Sequence, residues 1–295
     1  MDQFNIFDFT SKPFKITNKI RLIELFGGIG SQAMALRDLG ADFERYRLVE
    51  FDDFCIKAYN KIHGTQFVKT DIRDVHGADL GITETDKYTY IMFYSFPCTD
   101  LSVAGQMQGM AKGSGTRSGL LWEVERLLNE CDELPQVLIM ENVPQVHGEA
   151  NRDSFKDWIR FLESRGYENF IDDLNAKDYG VAQSRDRCFM VSVPKGYSYK
   201  FPKPIELPYV MKDYLEDDAE ERFFLTSDKA KELIEKLIDN GTIERERERE
   251  LRPCDLTTAE PKGKMIANTI MSGCRGIMHR VSQENGCVVQ EVNEY

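Results

Sequence analysis

The feature that most constrains the fold is a regular alternation of short apolar runs with segments of helical periodicity. Runs that favour strands recur over 21–26, 45–49, 67–68, 90–94, 137–140, 170–174 and 188–193. Segments with helical spacing of apolar residues lie over 31–39, 53–62, 118–130 and 154–164. Strands that alternate with helices are typical of a doubly wound sheet with helices on both faces. We therefore predict an α/β, Rossmann-like mixed sheet whose last strands are antiparallel.

The alternation ends near Pro194, where the composition changes. Several prolines follow within 202–208, and Glu alternates with Arg over 244–250. Such a charge run is typical of a solvated, self-paired surface. The change in composition predicts three parts: an N-terminal arm over 1–17, a main α/β domain over 18–195 and a smaller C-terminal region over 196–295.

The composition suits a soluble globular protein. The chain has 295 residues, of which 41% are hydrophobic and 30% charged. It contains no apolar run that could span a bilayer, and Met1 to Thr17 does not resemble a secretory signal. Its seven cysteines are scattered, with no CxxC pair and no zinc spacing. We predict reduced thiols, no metal and no membrane partner, in a cytoplasm.

The net charge counts against one class of partner. A formal charge of −12 opposes non-specific binding to nucleic acid, which depends on Lys and Arg meeting phosphates. A local basic face can still lie on an acidic protein. A nucleic-acid function therefore needs support from specific residues.

A glycine turn follows the first predicted strand. Gly27, Gly28 and Gly30 lie between the strand and a helix, an arrangement that lets a ligand approach the backbone and the helix N-terminus. Glu50, about 20 residues on at the end of the second strand, can accept hydrogen bonds from ribose hydroxyls. Because the spacing is not GxGxxG, a nucleoside cofactor without phosphates is favoured over a dinucleotide. The alternative is a tight turn with no ligand.

Asp71 follows the third predicted strand. A carboxylate there can accept a hydrogen bond from the exocyclic amine of an adenine ring, with Thr70 and Ile72 as a wall for the ring. The alternative role of Asp71 is a helix cap.

Cys98 stands at the end of the fourth predicted strand. The apolar run over 90–94 stops at Pro97, which cannot donate to a sheet ladder. A glycine-rich segment over 101–119 follows and is long enough to close over a substrate. A thiol in that position is a candidate nucleophile. The alternative is a small buried cysteine.

Two further charged motifs follow later strands. Glu141 comes directly after the apolar run 137–140, and desolvation there would raise its pKa and let it donate a proton. Arg185 and Arg187, spaced i and i+2 in extended chain, lie on one side and can pair with Glu141 and with a base or phosphate. The alternatives are a strand-end cap for Glu141 and a structural ion pair for the arginines.

In combination, these motifs resemble those of the cytosine-5 DNA methyltransferase family. They occur in the family's order over about residues 20–193. The matching stretches are Leu25–Gly30, Val49–Glu50, Asp71–Ile72, Phe96–Cys98, Glu141–Val143, Asn175–Gly180 and Gln183–Arg187.

The resemblance implies a methyltransferase fold and S-adenosylmethionine as methyl donor. It places Phe26, Gly27, Gly28 and Gly30 at the methionine part, Glu50 at the ribose and Asp71 with Ile72 at the adenine, with Phe51 and Pro97 also in the donor site. Cys98 would add to carbon 6 of a flipped cytosine, with Glu141, Arg185 and Arg187 completing the catalytic set. Ser102, Arg117 and Gln183 would contact DNA.

The chain departs from the family pattern at its end. The C-terminal segment that returns to the cofactor loop is not found, so 196–295 is interpreted as a partial target-recognition region. Double-stranded DNA is the predicted partner, and a second chain that supplies the missing segment is one alternative. A methyltransferase for RNA such as tRNA, a non-catalytic fragment and a nicotinamide dehydrogenase are the others. A bacterial or phage origin fits, with restriction–modification, self-protection and gene regulation as open roles.

Overall fold

The computed structural model describes residues 11–101 and 109–210. Beyond these it describes 213, 228, 232, 235–236, 239, 254–255, 267–268 and 288–289. The chain divides into two compact units, Met1–Asp173 with Arg187–Pro202, and Leu174–Asp186 with Lys203–Tyr295. The domain boundaries drawn from the composition stay a prediction.

A six-stranded mixed sheet forms the centre of the fold. Its strands are β1 (Lys19–Leu25), β2 (Phe43–Val49), β3 (Tyr88–Tyr94), β4 (Val137–Asn142), β5 (Tyr167–Asn175) and β6 (Asp186–Pro194). They lie in the order β2-β1-β3-β4-β6-β5. The pairs β2–β1, β1–β3 and β3–β4 are parallel, whereas β4 and β6 are antiparallel. The predicted α/β mixed sheet is confirmed.

Within residues 11–210, as far as the structure describes them, the α-helices beside the sheet are α1 (Ser31–Asp38), α2 (Asp53–His63), α3 (Leu121–Glu130) and α4 (Arg152–Ser164). Helix α2 starts at the predicted residue. The Asp52 carboxylate caps it by accepting hydrogen bonds from the backbone N–H groups of Phe54 and Cys55. Gly64, in the left-handed conformation, ends the same helix. None of the helices in the described part of the chain is long and apolar enough to cross a membrane.

The sheet is buried on both faces, and β3 shows how. Tyr90, Met92 and Tyr94 pack into the larger core, while Ile91 packs into the smaller core with Val137. Alternate residues of a strand point to opposite faces, so a central strand covered on both sides must be apolar throughout. This explains the uninterrupted apolar run before Cys98.

The strand predicted at 67–68 is wrong. These residues form an irregular segment between α2 and a short 3₁₀ turn, Ile72–Asp74. The Asn60 side chain donates to the carbonyl of Phe67 at 2.8 Å and accepts from its N–H at 2.9 Å. Because this side chain occupies both backbone groups of Phe67, they are not available to a strand ladder.

Candidate active site

The Glu50 carboxylate holds the glycine turn against the start of α2. One oxygen accepts from the backbone N–H of Gly28 at 2.8 Å, and the other accepts from Phe51 at 2.7 Å and Asp52 at 2.8 Å. A carboxylate has about four acceptor positions, so it can still accept a hydrogen bond from a ligand hydroxyl.

The glycines of the turn serve two different needs. A Cβ at Gly27 would collide with Leu48 and Glu24, and one at Gly30 would collide with His63 and Tyr59. These two glycines permit close packing. Gly28 has a φ of +57° and nothing within 4 Å of a built Cβ, so this side of the turn faces open space.

Apolar side chains border the same open space. Ile29 is 43% exposed and Phe51 is 58% exposed, although both are large and apolar. Phe26, just before the turn, has a φ of 58°, which is uncommon for a residue with a side chain. A free carboxylate position, an unobstructed turn and an exposed ring together fit a nucleoside ligand such as S-adenosylmethionine.

Asp71 and Ile72 take up positions that the sequence only partly anticipated. The Asp71 carboxylate caps the 3₁₀ turn and accepts from the backbone and guanidinium of Arg73. The hydrogen bonds from the Arg73 side chain lower the pKa of Asp71 to about 2. The Ile72 side chain is buried in the larger core. An adenine ring could therefore meet only the backbone of Ile72.

Buried polar side chains hold the loop that carries Cys98. The Asn142 amide donates to the carbonyl of Phe96 at 3.0 Å, and the Ser118 hydroxyl donates to that of Pro97 at 2.7 Å. The Ser118 N–H also donates to the Asp100 carboxylate at 2.9 Å. The Cys98 side chain is half-buried at the end of this framework. The sequence assigned no role to Ser118, Asp100 or Asn142, because their partners are distant in the chain.

Three other cysteines are poor candidates for nucleophiles. Burial is the largest cause that raises the thiol pKa of Cys55 to about 11, of Cys131 to about 11 and of Cys188 to about 12. Their sulfur atoms therefore stay protonated near neutral pH, and a thiol is a much weaker nucleophile than a thiolate.

Glu141 forms an ion pair with Arg187. The Glu141 Oε1 and Arg187 Nε atoms are 2.9 Å apart, and the two side chains are 25% and 17% exposed. The antiparallel register of β4 and β6, with Glu141 opposite Phe189, brings the two charges together. The ion pair therefore holds the Glu141 side chain against β6 at the carboxyl end of β4.

The remaining predicted site residues are Arg185, Gln183, Arg117 and Ser102. Arg185 and Gln183 belong to the second unit, where the Arg185 N–H donates to the Asn175 side chain at 3.0 Å. Arg117 is exposed just before the 3₁₀ turn Ser118–Leu120. Ser102 lies outside the described residues.

Comparisons with known proteins identify the family. A family model described as C-5 cytosine-specific DNA methylase matches residues 20–288. The orphan methyltransferase M.SssI of Spiroplasma monobiae is 32% identical over 271 residues, which cover 74% of this chain and 70% of that protein. The type II methyltransferase M2.ScrFI of Lactococcus lactis is 41% identical over 133 residues, 45% of this chain and 36% of that protein.

A solved structure supports the fold. The Dnmt2 methyltransferase of S. pombe superposes with a TM-score of 0.65 at 16% identity, covering 94% of this chain and 77% of that one. The family match thus covers most of the chain, and the motifs at the strand ends lie within it. The chain therefore belongs to the C-5 cytosine-specific DNA methylases and is a cytosine-5 methyltransferase that takes its methyl group from S-adenosylmethionine.

Proposed function

We propose that this chain methylates carbon 5 of a cytosine that has been flipped out of double-stranded DNA, with Cys98 as the nucleophile. The observation that supports this most directly is the hydrogen bond from Asn142 to the carbonyl of Phe96. It ties the Cys98 loop to the end of β4, one residue from Glu141. A thiol just after β3 and a carboxylate at the end of β4, its parallel neighbour, lie at the same edge of the sheet, where ligands of such folds bind.

On the donor side, the turn from Phe26 to Gly30 would hold the methionine part and Glu50 the ribose hydroxyls. Phe51 offers a ring for stacking, and Asp71, the backbone of Ile72 and Pro97 would complete the adenine side. When bound, S-adenosylmethionine supplies an electrophilic methyl group. The residues themselves supply hydrogen-bond acceptors and apolar surface, which fits a nucleoside that carries no phosphate.

On the base side, the task of the protein is to make carbon 5 nucleophilic. The Cys98 thiolate adds to carbon 6, and the electron pair of the ring double bond becomes available at carbon 5. Glu141 contacts ring N3 and the amino group, and Arg187 holds O2 and orients Glu141. Carbon 5 would then take the methyl group as the carbon–sulfur bond of the donor breaks. Loss of the carbon-5 proton to a base would restore the double bond and expel the Cys98 sulfur. Arg185 completes the catalytic set.

The DNA contacts depend on specific residues rather than on the net charge. A base inside a duplex cannot be reached by Cys98, so the cytosine must leave the stack. Arg117, exposed at the end of the segment that follows Cys98, Ser102 and Gln183 would contact the DNA. We place the protein in a bacterial or phage-infected cytoplasm, and a second chain that completes the recognition region belongs to the same proposal.

Covalent trapping tests the proposal. A duplex with 5-fluorocytosine in place of cytosine cannot lose a proton from carbon 5, so the adduct should persist when S-adenosylmethionine is added. We expect a band of protein bound to DNA that resists denaturation, its absence in Cys98→Ser, and its retention in the control Cys55→Ser. Trapping by Cys98→Ser would contradict the role of Cys98. Trapping on RNA but not on DNA would assign the activity to RNA.

A further inference from the structure

Beyond the methyl-transfer site, a second cluster of potential ligands lies on the first unit. His147, Asp173 and Cys188 each present one ligand atom, and these atoms all lie within 4.8 Å of one another. The His147 Nε2 atom is 3.0 Å from each oxygen of Asp173, and the Cys188 Sγ atom lies within 4.8 Å of the ligand atoms of both residues. From this arrangement we infer that the chain has a site for a thiophilic divalent metal ion, with Zn²⁺ as the first choice.

The fold brings these three residues together from separate parts of the chain. His147 ends the 3₁₀ turn Pro144–His147 that follows β4, Asp173 lies on β5, and Cys188 lies on β6. Because β6 lies between β4 and β5 in the sheet, the three groups meet at one place. Their separation in the sequence hides the site, which has none of the close pairs that mark a zinc motif.

The chemistry of the donors fits zinc. An imidazole nitrogen, a carboxylate oxygen and a sulfur are all zinc ligands, and tetrahedral coordination at about 2.0–2.3 Å requires only a small closure of atoms already this near. Binding exchanges the thiol proton of Cys188, which passes to solvent, for a sulfur–metal bond. The neutral imidazole, the carboxylate and the thiolate then balance the two positive charges of the ion.

Access and surroundings also fit. Cys188 is fully buried, whereas the side chains of His147 and Asp173 are 38% and 41% exposed. An ion can therefore enter from solvent through these two ligands, and a water molecule can complete the coordination at the exposed side. Hard ions such as Mg²⁺ prefer oxygen donors, which this set does not offer in number.

Such an ion would make the base side of the proposed methyl-transfer site more rigid. Cys188 is adjacent to Arg187 and pairs with Asn142 across β4 and β6, while His147 follows Glu141 and Asn142 on the same chain segment. Metal bound to all three residues would link the segment after Glu141 to the strand that carries Arg187. The inference does not depend on Cys98 being the nucleophile.

Zinc uptake by the full chain tests the inference. All variants carry Cys98→Ala, which removes both methyl transfer and a competing thiolate. The Cys98→Ala background should bind one zinc ion. So should the control Cys98→Ala/Cys131→Ala, which removes another buried thiol. Cys98→Ala/Cys188→Ala should not bind this ion. His147→Gln replaces a partly exposed side chain, so this variant should fold. Its zinc affinity should fall at least about 100-fold, which is more than the loss of a residue that only hydrogen-bonds to a metal ligand would cause.

Two further measurements identify the ligands. Co²⁺ in place of Zn²⁺ should give a sulfur-to-metal charge-transfer band that disappears with Cys188→Ala and persists with Cys131→Ala. At one hundred times the dissociation constant, Zn²⁺ should raise the melting temperature by roughly 5 °C in the background and not in the His147→Gln variant. Equal zinc uptake by the background, Cys188→Ala and His147→Gln, or no uptake at micromolar zinc, would overturn the inference and leave a His147–Asp173 ion pair beside a buried thiol.

Discussion

The glycine turn and the Cys98 loop are held in place by different kinds of side chain. At the turn, the residue that fixes the backbone is Glu50, which is also the proposed ligand for the ribose. At the Cys98 loop, the fixing residues are Ser118 and Asn142, which are buried and play no part in the proposed chemistry. On the donor side, one residue thus both fixes the backbone and is the proposed ligand contact. On the base side, different residues fix the backbone and carry out the proposed chemistry.

This difference predicts how each side responds to mutation. A change at Glu50 disturbs the shape of the donor site and its contacts together. On the base side, changes at Cys98 and at Ser118 can remove the chemistry and the positioning one at a time. Three substitutions, at Cys98, Glu50 and Ser118, test this contrast, and a fourth, Glu24→Gln, tests a buried carboxyl group beneath the turn.

The largest effect is expected from Cys98→Ser. The hydroxyl is far less acidic and less nucleophilic than the thiol, so turnover should fall by roughly 10⁴-fold or more. Donor binding should stay within about twofold of wild type, because the turn is held by hydrogen bonds to Glu50, to Val49 and within itself. Methyl transfer to duplex DNA and titration with S-adenosylmethionine measure the two quantities. Loss of donor binding as well would show that Cys98 holds the structure.

The next effect concerns Glu24, which lies on β1 beneath the turn and accepts a hydrogen bond from Tyr59. Burial raises the pKa of its carboxyl from 4.5 to about 7, against the lowering effect of that hydrogen bond. The folded protein therefore holds a proton that the unfolded chain releases. This bound proton stabilises the folded protein by up to about 3 kcal/mol below pH 4.5. The stabilisation is lost as the pH rises to about 7.

Glu24→Gln removes this titration while it keeps an acceptor for Tyr59. We expect its free energy of unfolding, measured by urea denaturation, to vary less with pH between 4.5 and 7 than that of wild type. Glu163→Gln, at an exposed position of α4, is the matched control and should follow wild type. Parallel pH profiles for wild type and Glu24→Gln would refute the assignment.

Glu50→Ala should weaken donor binding by roughly 30-fold or more, because it removes charge-assisted hydrogen bonds to the ribose worth about 2 kcal/mol. It also releases the N–H groups of Gly28, Phe51 and Asp52 that shape the site. Calorimetric titration with S-adenosylmethionine measures the change. Asp53→Ala, nearby and exposed, is the control that should bind normally. Unchanged affinity in Glu50→Ala would show that Glu50 fixes the backbone of the turn without contributing to donor binding.

The smallest effect is expected from Ser118→Ala. It leaves the carbonyl of Pro97 and the N–H of Asp100 without their buried partner, at a cost of about 1–3 kcal/mol. The Cys98 loop should loosen, and kcat should fall by roughly 10-fold with donor affinity unchanged. Ser114→Ala, an exposed hydroxyl nearby, should leave kcat unaltered. A larger loss of donor affinity than of kcat would show that the two sides are coupled.

The sequence predicted the elements better than their contacts. The runs over 90–94 and 137–140 indicate strands, because burial on both faces requires a central strand to be apolar throughout. The strand at 67–68 failed because the Asn60 side chain occupies both backbone groups of Phe67, and no local pattern reveals such a contact. Likewise, nothing in the spacing of Ile72 shows that its side chain lies in the core.

The order of motifs along the chain was enough to assign Glu50, Cys98 and Glu141 to one edge of the sheet, because parallel strands bring their carboxyl ends together. Which residues meet across that edge depends on the antiparallel register of β4 and β6, which pairs Arg187 with Glu141 and puts Cys188 beside Asn142. The meeting of His147, Asp173 and Cys188 has the same origin. Register and long-range packing arise from the whole core, so they could be known only once the chain was folded.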